Sequence, residues 1–111
     1  MIFAATLHNL LMHRYFLFIS PFISYNERMS IILYTKRGCP WCKGVLDLFN
    51  EKGVVFEERE VLGNKAYFDE MTAKSGQSKA PTLDVDGEIL ADTDKVAVAI
   101  FMKEKGVKGF E

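Results

Sequence analysis

An apolar run, Ile31-Ile32-Leu33-Tyr34, ends at a polar stretch that includes Lys36-Arg37-Gly38, and Cys39-Pro40-Trp41-Cys42 then opens a helical pattern. This strand-to-helix switch constrains the fold more than any other stretch, because the start of the helix is specified residue by residue. Pro40 suits the first helical position, where its missing N–H costs nothing and its fixed φ is already helical. Cys39 then falls at the N-cap. Its sulfur can accept hydrogen bonds from the N–H groups of Trp41 and Cys42, which lack partners within the helix. The partial positive charge of that helix end favours a thiolate at Cys39 and lowers its pKa. Cys42 lies one turn inside, placed to resolve a mixed disulfide formed on Cys39. The pair reads as a redox dithiol.

Other uses of the spacing fare worse. These are the only two cysteines in the chain, so a structural zinc site would need His8 and His13 as its remaining ligands. Their spacing is workable, but proline between the cysteines and an apolar helix directly after them are foreign to zinc knuckles, and no metal is expected. A structural disulfide closing so short a loop would constrain the unfolded chain little. Two inert buried thiols would not follow Lys36-Arg37-Gly38, a polar and electropositive lead-in.

From Met29 onward strands and helices alternate. Ile31–Thr35 reads as a buried strand and 40–52 as a helix, with Cys42, Val45, Leu46 and Phe49 on its apolar stripe and Gly53 at its C′ position. Residues 54–60 read as a second strand, with Val54 and Phe56 on one face. Its acidic run, Glu57-Glu58-Arg59-Glu60, reads as a solvated face without a role. Asn64 caps a helix over 65–74, and Lys79-Ala80-Pro81 leads into a strand over 82–85. Asp86-Gly87 makes a hairpin to 88–91. Thr93 or Asp92 then caps a last helix through Lys105, with Val96, Ala99 and Ile100 as its inward stripe. The order β-α-β-α-β-β-α is that of an α/β domain. Its first βαβ unit demands parallel strands and a right-handed crossover. The later pair is antiparallel, so a four-stranded mixed sheet flanked by helices is expected.

The chain has 111 residues, 49% of them hydrophobic, enough for one domain with a real core. Its 14 basic and 15 acidic residues leave a net charge of −1, which argues against nucleic acid as a partner. Residues 1–28 differ from the rest: they hold one acid, Glu27, and the apolar run Tyr15 to Ile23. Pro21 and the lack of a small-residue cleavage site speak against a signal peptide. His8, Asn9, His13 and Arg14 interrupt any run near the roughly 18 apolar residues of a membrane span. The preferred reading is that translation begins at Met29, with 29–111 as the domain. A signal or anchor, giving an exported or membrane-tethered protein, is the alternative.

With CPWC at the first strand-to-helix junction, Ala80-Pro81 downstream, and Thr93-Asp94 after the hairpin, residues 30–106 resemble the glutaredoxin family and its minimal thioredoxin-like fold. The family's usual motif has tyrosine where Trp41 stands. The resemblance implies a glutathione-dependent dithiol–disulfide oxidoreductase, cytoplasmic and monomeric, with no tightly bound cofactor and glutathione as co-substrate. Its targets would be disulfide-bearing or glutathionylated proteins. It implies that Pro81 is cis and faces the cysteines, so that Ala80 offers its backbone to a bound peptide or to glutathione. Lys36 would lie near the thiolate and the glycyl carboxylate, with Trp41 covering the site. Thr93, Asp94 and the last helix's N-terminus would hold the γ-glutamyl end.

The chain departs from the family at three places. Lys79-Ala80 replaces Thr-Val, Ser78 replaces an arginine, and Ala91-Asp92 replaces Gly-Gly. Asp92 adds a charge that repels a carboxylate, so the departures bear on glutathione and leave the dithiol untouched. Two other readings follow from the same resemblance. One is an electron donor reduced by thioredoxin reductase. The other is a [2Fe–2S] cluster held between two subunits, which proline after the first cysteine disfavours.

Overall fold

The computed structural model describes residues 29–111. The readings of residues 1–28 as a leader, an anchor or an untranslated stretch lie outside the described residues. The elements run β1 (Ile31–Thr35), α1 (Pro40–Lys52), β2 (Glu57–Glu60), α2 (Lys65–Ser75), β3 (Thr82–Val85), β4 (Glu88–Leu90) and α3 (Lys95–Glu104). The sheet order is β2-β1-β3-β4, with β1 parallel to β2 and the other pairings antiparallel. This is the expected minimal thioredoxin-like arrangement.

Alternation along β1 feeds both faces of the sheet. Ile31 and Leu33 enter the main core with Val45, Leu48 and Phe49 of α1 and Val98 and Met102 of α3. Tyr34 faces the other way, into a small cluster with Val61 and with Met71 of α2. Two helix ends close by the same device. Gly53 (φ 68) and Gly106 (φ 72) take the left-handed turn that a Cβ would resist. The following N–H groups, of Val54 and Val107, then reach back to Phe49 O at 2.9 Å and Met102 O at 3.0 Å. Val54 and Val107 are thereby delivered into the core.

The second strand is shorter than its sequence suggests. Val54 and Phe56 drop into or against the core before pairing begins, and Phe56 meets Phe49 edge-on at 5.0 Å. The acidic run is itself the strand, and it has work to do. Arg59 lies 2.6 Å from Glu57 and also pairs with Glu70 of α2, which accepts the Tyr34 hydroxyl. Lys74 joins Glu70 at 3.6 Å and Asp84 at 2.8 Å. The small apolar cluster on this face is thus bordered by a web of charges. The Tyr34 hydroxyl holds the Glu70 carboxyl below its usual range, although burial works the other way and Arg59 adds to the lowering.

The last helix also needs correction. Asp94, not Thr93 or Asp92, is the N-cap, its Oδ1 accepting from Ala97 N at 2.9 Å. Of the expected stripe, Val96 and Ile100 are exposed at 68% and 56%, while Ala99 packs against the core beside the buried Val98 and Met102. Both stripes are apolar at helical spacing, so periodicity alone could not choose between them. Contact with α1 chooses: Lys95 sits against Gly44, where an added Cβ would lie 3.7 Å from the Lys95 side chain.

Candidate active site

Cys39 is the N-cap of α1, in extended conformation, with Pro40 following in the first helical turn. Of the two N–H groups expected to point at its sulfur, that of Cys42 does so at 3.3 Å. Both thiols are free. Their settings differ: Cys39 is partly exposed, whereas Cys42 is 2% exposed. Burial pushes the Cys42 thiol up to about 12, the Cys39 sulfur adds to that, and the Lys36 backbone N–H, 3.5 Å away, works against it.

The Ala80–Pro81 bond is cis. It brings the Ala80 carbonyl to 3.8 Å from Cys39 Sγ, opposite the helix end. Pro81 is buried, and its carbonyl accepts from Thr93 N at 2.9 Å, tying the loop before α3 to the cis-proline loop. The Thr93 hydroxyl is buried without a hydrogen-bond partner among the described residues. Asp92 has φ 48 and lies 3.9 Å from Lys79, so the two side chains that replace family residues meet on one rim. Trp41 is 67% exposed. It lines an open groove of about 430 Å³ between the starts of α1 and α3, with Asp94 and Val96 on the far wall.

The structure therefore gathers Lys36, Cys39, Cys42 and Ala80 at one point, joins Thr93 to Pro81, and sets Trp41 across a groove from Asp94. Sequence reasoning passed over Thr35 and Glu58. Thr35 Oγ1 donates to Glu58 Oε2 at 2.7 Å, and both line a cavity of about 180 Å³ beside the cysteines. The missed signal is the acidic run standing where β1 requires a parallel partner.

A glutaredoxin family model matches residues 31–90, more than half of the chain. The chain belongs to the glutaredoxin family. Glutaredoxin 3 of Escherichia coli is 34% identical over 65 residues, covering 59% of this chain and 78% of that relative. A glutaredoxin from Archaeoglobus fulgidus superposes with a TM-score of 0.59 at 18% identity, covering 67% of this chain and 86% of the other. Buckwheat glutaredoxin, solved as a complex with glutathione, gives 0.53 at 17% identity, covering 73% and 74%. At such identities these two structures speak for the shared fold. As a glutaredoxin, the chain is a thiol–disulfide oxidoreductase. Among its described residues no helix is long and apolar enough to cross a membrane.

Proposed function

We propose that this glutaredoxin uses Cys39 to attack disulfides and Cys42 to resolve them, with glutathione as the reductant. The carrying observation is the inequality of the two thiols. Cys39 is partly exposed and its sulfur accepts the helix N–H of Cys42. Cys42 is covered and holds its proton.

The Cys39 thiolate attacks one sulfur of a protein disulfide, and the other sulfur leaves as a thiolate that takes a proton from water. The Cys42 thiolate then attacks Cys39, the internal disulfide forms, and the target departs reduced. Two glutathione molecules restore the dithiol and leave as oxidised glutathione. With a protein–glutathione mixed disulfide, Cys39 alone suffices: it takes up the glutathionyl group, and a second glutathione removes it.

Two features favour glutathione as the small thiol. Lys36 stands beside the cysteines, and α3 opens with N–H groups near Asp94. Lys79 meets the Asp92 charge that would otherwise repel a carboxylate. The pair is exposed and therefore weak, so reduction by thioredoxin reductase is the second reading, favoured by Asp92. Turnover of a glutathione mixed disulfide, coupled to glutathione reductase, decides between them. We expect steady turnover there and none with thioredoxin reductase; the reverse pattern rejects glutathione.

The inequality also predicts a pH effect. The folded chain holds the Cys42 proton more tightly than the unfolded chain, whose thiol sits near the ordinary 9.0. Cys42 thus contributes stability that is complete below about pH 9 and is lost as pH rises toward about 12. Timed alkylation near neutral pH followed by peptide mapping should find Cys39 modified and Cys42 protected. Equal labelling of both in the folded chain contradicts the assignment.

A further inference from the structure

The proposed cycle, on which this inference rests, leaves one proton without a destination. Cys42 must lose its proton to attack the mixed disulfide on Cys39, yet it is buried. The register of the sheet supplies a neighbour. Parallel pairing sets Glu58 opposite Leu33, and Leu33 faces α1 in the main core. Glu58 accordingly shares a cavity of about 180 Å³ with Cys42, ample for a bridging water molecule.

The titratable and charged groups around that cavity are Lys36 and Arg37 from the β1–α1 loop, Cys39 and Lys43 from α1, and Glu58 and Glu60 from β2. The two lysines and the arginine offer only hydrogen-bond donors and no acceptor. Cys39 is tied up in the mixed disulfide at this step. Glu60 is committed to backbone N–H groups: Arg37 at 3.1 Å, Leu62 at 2.9 Å and Gly63 at 2.7 Å. Glu58 is exposed on its outer side and accepts the Thr35 hydroxyl through Oε2, which orients the carboxylate, and no hydrogen bond among the described residues engages Oε1.

We propose that Glu58 is the proton acceptor for Cys42 in the resolving step, acting directly or through one water in the cavity. The Cys42 S–H bond breaks and its proton passes to the Glu58 carboxylate. The sulfur's electron pair attacks Cys39 Sγ and forms the Cys39–Cys42 bond. The bond from Cys39 to the target sulfur breaks, and the target leaves as a thiolate that takes a proton from water. Glu58 afterwards returns its proton to solvent. The target is reduced by two electrons and the cysteine pair is oxidised by two.

Glu58→Gln tests this with opposite signs for the two roles the residue can play. It keeps an oxygen for Thr35 while removing the base. If Glu58 were only a negative charge, it would hold Cys42 protonated, and its loss would speed resolution. As a proton acceptor, its loss slows resolution. The experiment follows release of reduced target from a preformed Cys39 mixed disulfide in a single turnover of the full chain. We expect Glu58→Gln to be slower on the order of a hundredfold near neutral pH. Its rate should climb about tenfold per pH unit, tracking the thiolate fraction of Cys42, while the native chain responds far less. An equal or faster rate, or an unchanged pH profile, overturns the proposal. Failure of the native chain to form any Cys39 mixed disulfide is a different result, which removes the functional reading itself.

Discussion

A Cys39→Ser chain is expected to lose all thiol–disulfide exchange, whichever disulfide is offered. Serine is a good N-cap, so α1 keeps its start and the loss cannot be assigned to unfolding. What disappears is the sulfur that accepts the Cys42 N–H at 3.3 Å and faces the Ala80 carbonyl. The partner variant separates the two cysteines. Cys42→Ser should still remove glutathione from mixed disulfides but stall on protein disulfides, leaving a covalent adduct visible on a non-reducing gel. Turnover by the Cys39 variant, measured in the coupled assay, would reject the assignment.

Phe49→Ala should cost about 3–5 kcal/mol, the usual range for emptying a phenylalanine site in a core. Phe49 is fully buried, sits edge-on to Phe56 at 5.0 Å, and its carbonyl closes the α1 cap through Val54. Small domains hold only about 5–15 kcal/mol in total, so this one change should consume much of the margin. Urea titration of the two chains reads the difference. A loss under about 0.5 kcal/mol, the range of ordinary surface changes, would mean that the α1–sheet core is not the main source of stability. Ile100→Ala, on the exposed side of α3, is the matched control and should stay within about 0.5 kcal/mol.

What could be read in the sequence was whatever is decided locally. Pro40 after Cys39, Asn64 before α2, Gly53 after α1 and the Asp86-Gly87 turn each act through a few adjacent backbone groups, and each stands where expected. The Ala80–Pro81 loop and its place opposite the cysteines were legible only through family resemblance. Two elements depended on distant partners and were misread. The second strand, expected over 54–60, pairs only over 57–60, and the acidic run read as having no role meets Arg37, Thr35 and, through Arg59, Glu70. The facing of α3 was settled by its fit against α1, with two apolar stripes to choose from. Glu58 belongs with these: nothing next to it in the chain announces Cys42.

The unequal faces of the sheet give the molecule two kinds of adhesive. On the α1 and α3 side, hydrocarbon meets hydrocarbon, and salt leaves that joint alone. On the α2 side, Arg59, Glu70, Lys74 and Asp84 surround a much smaller oily seam. Because Glu70 is held ionised below its normal range, that grip is complete above the usual carboxylate range and weakens as acid protonates it. Vinegar and brine should therefore loosen α2 while the wall that carries the cysteines stays shut.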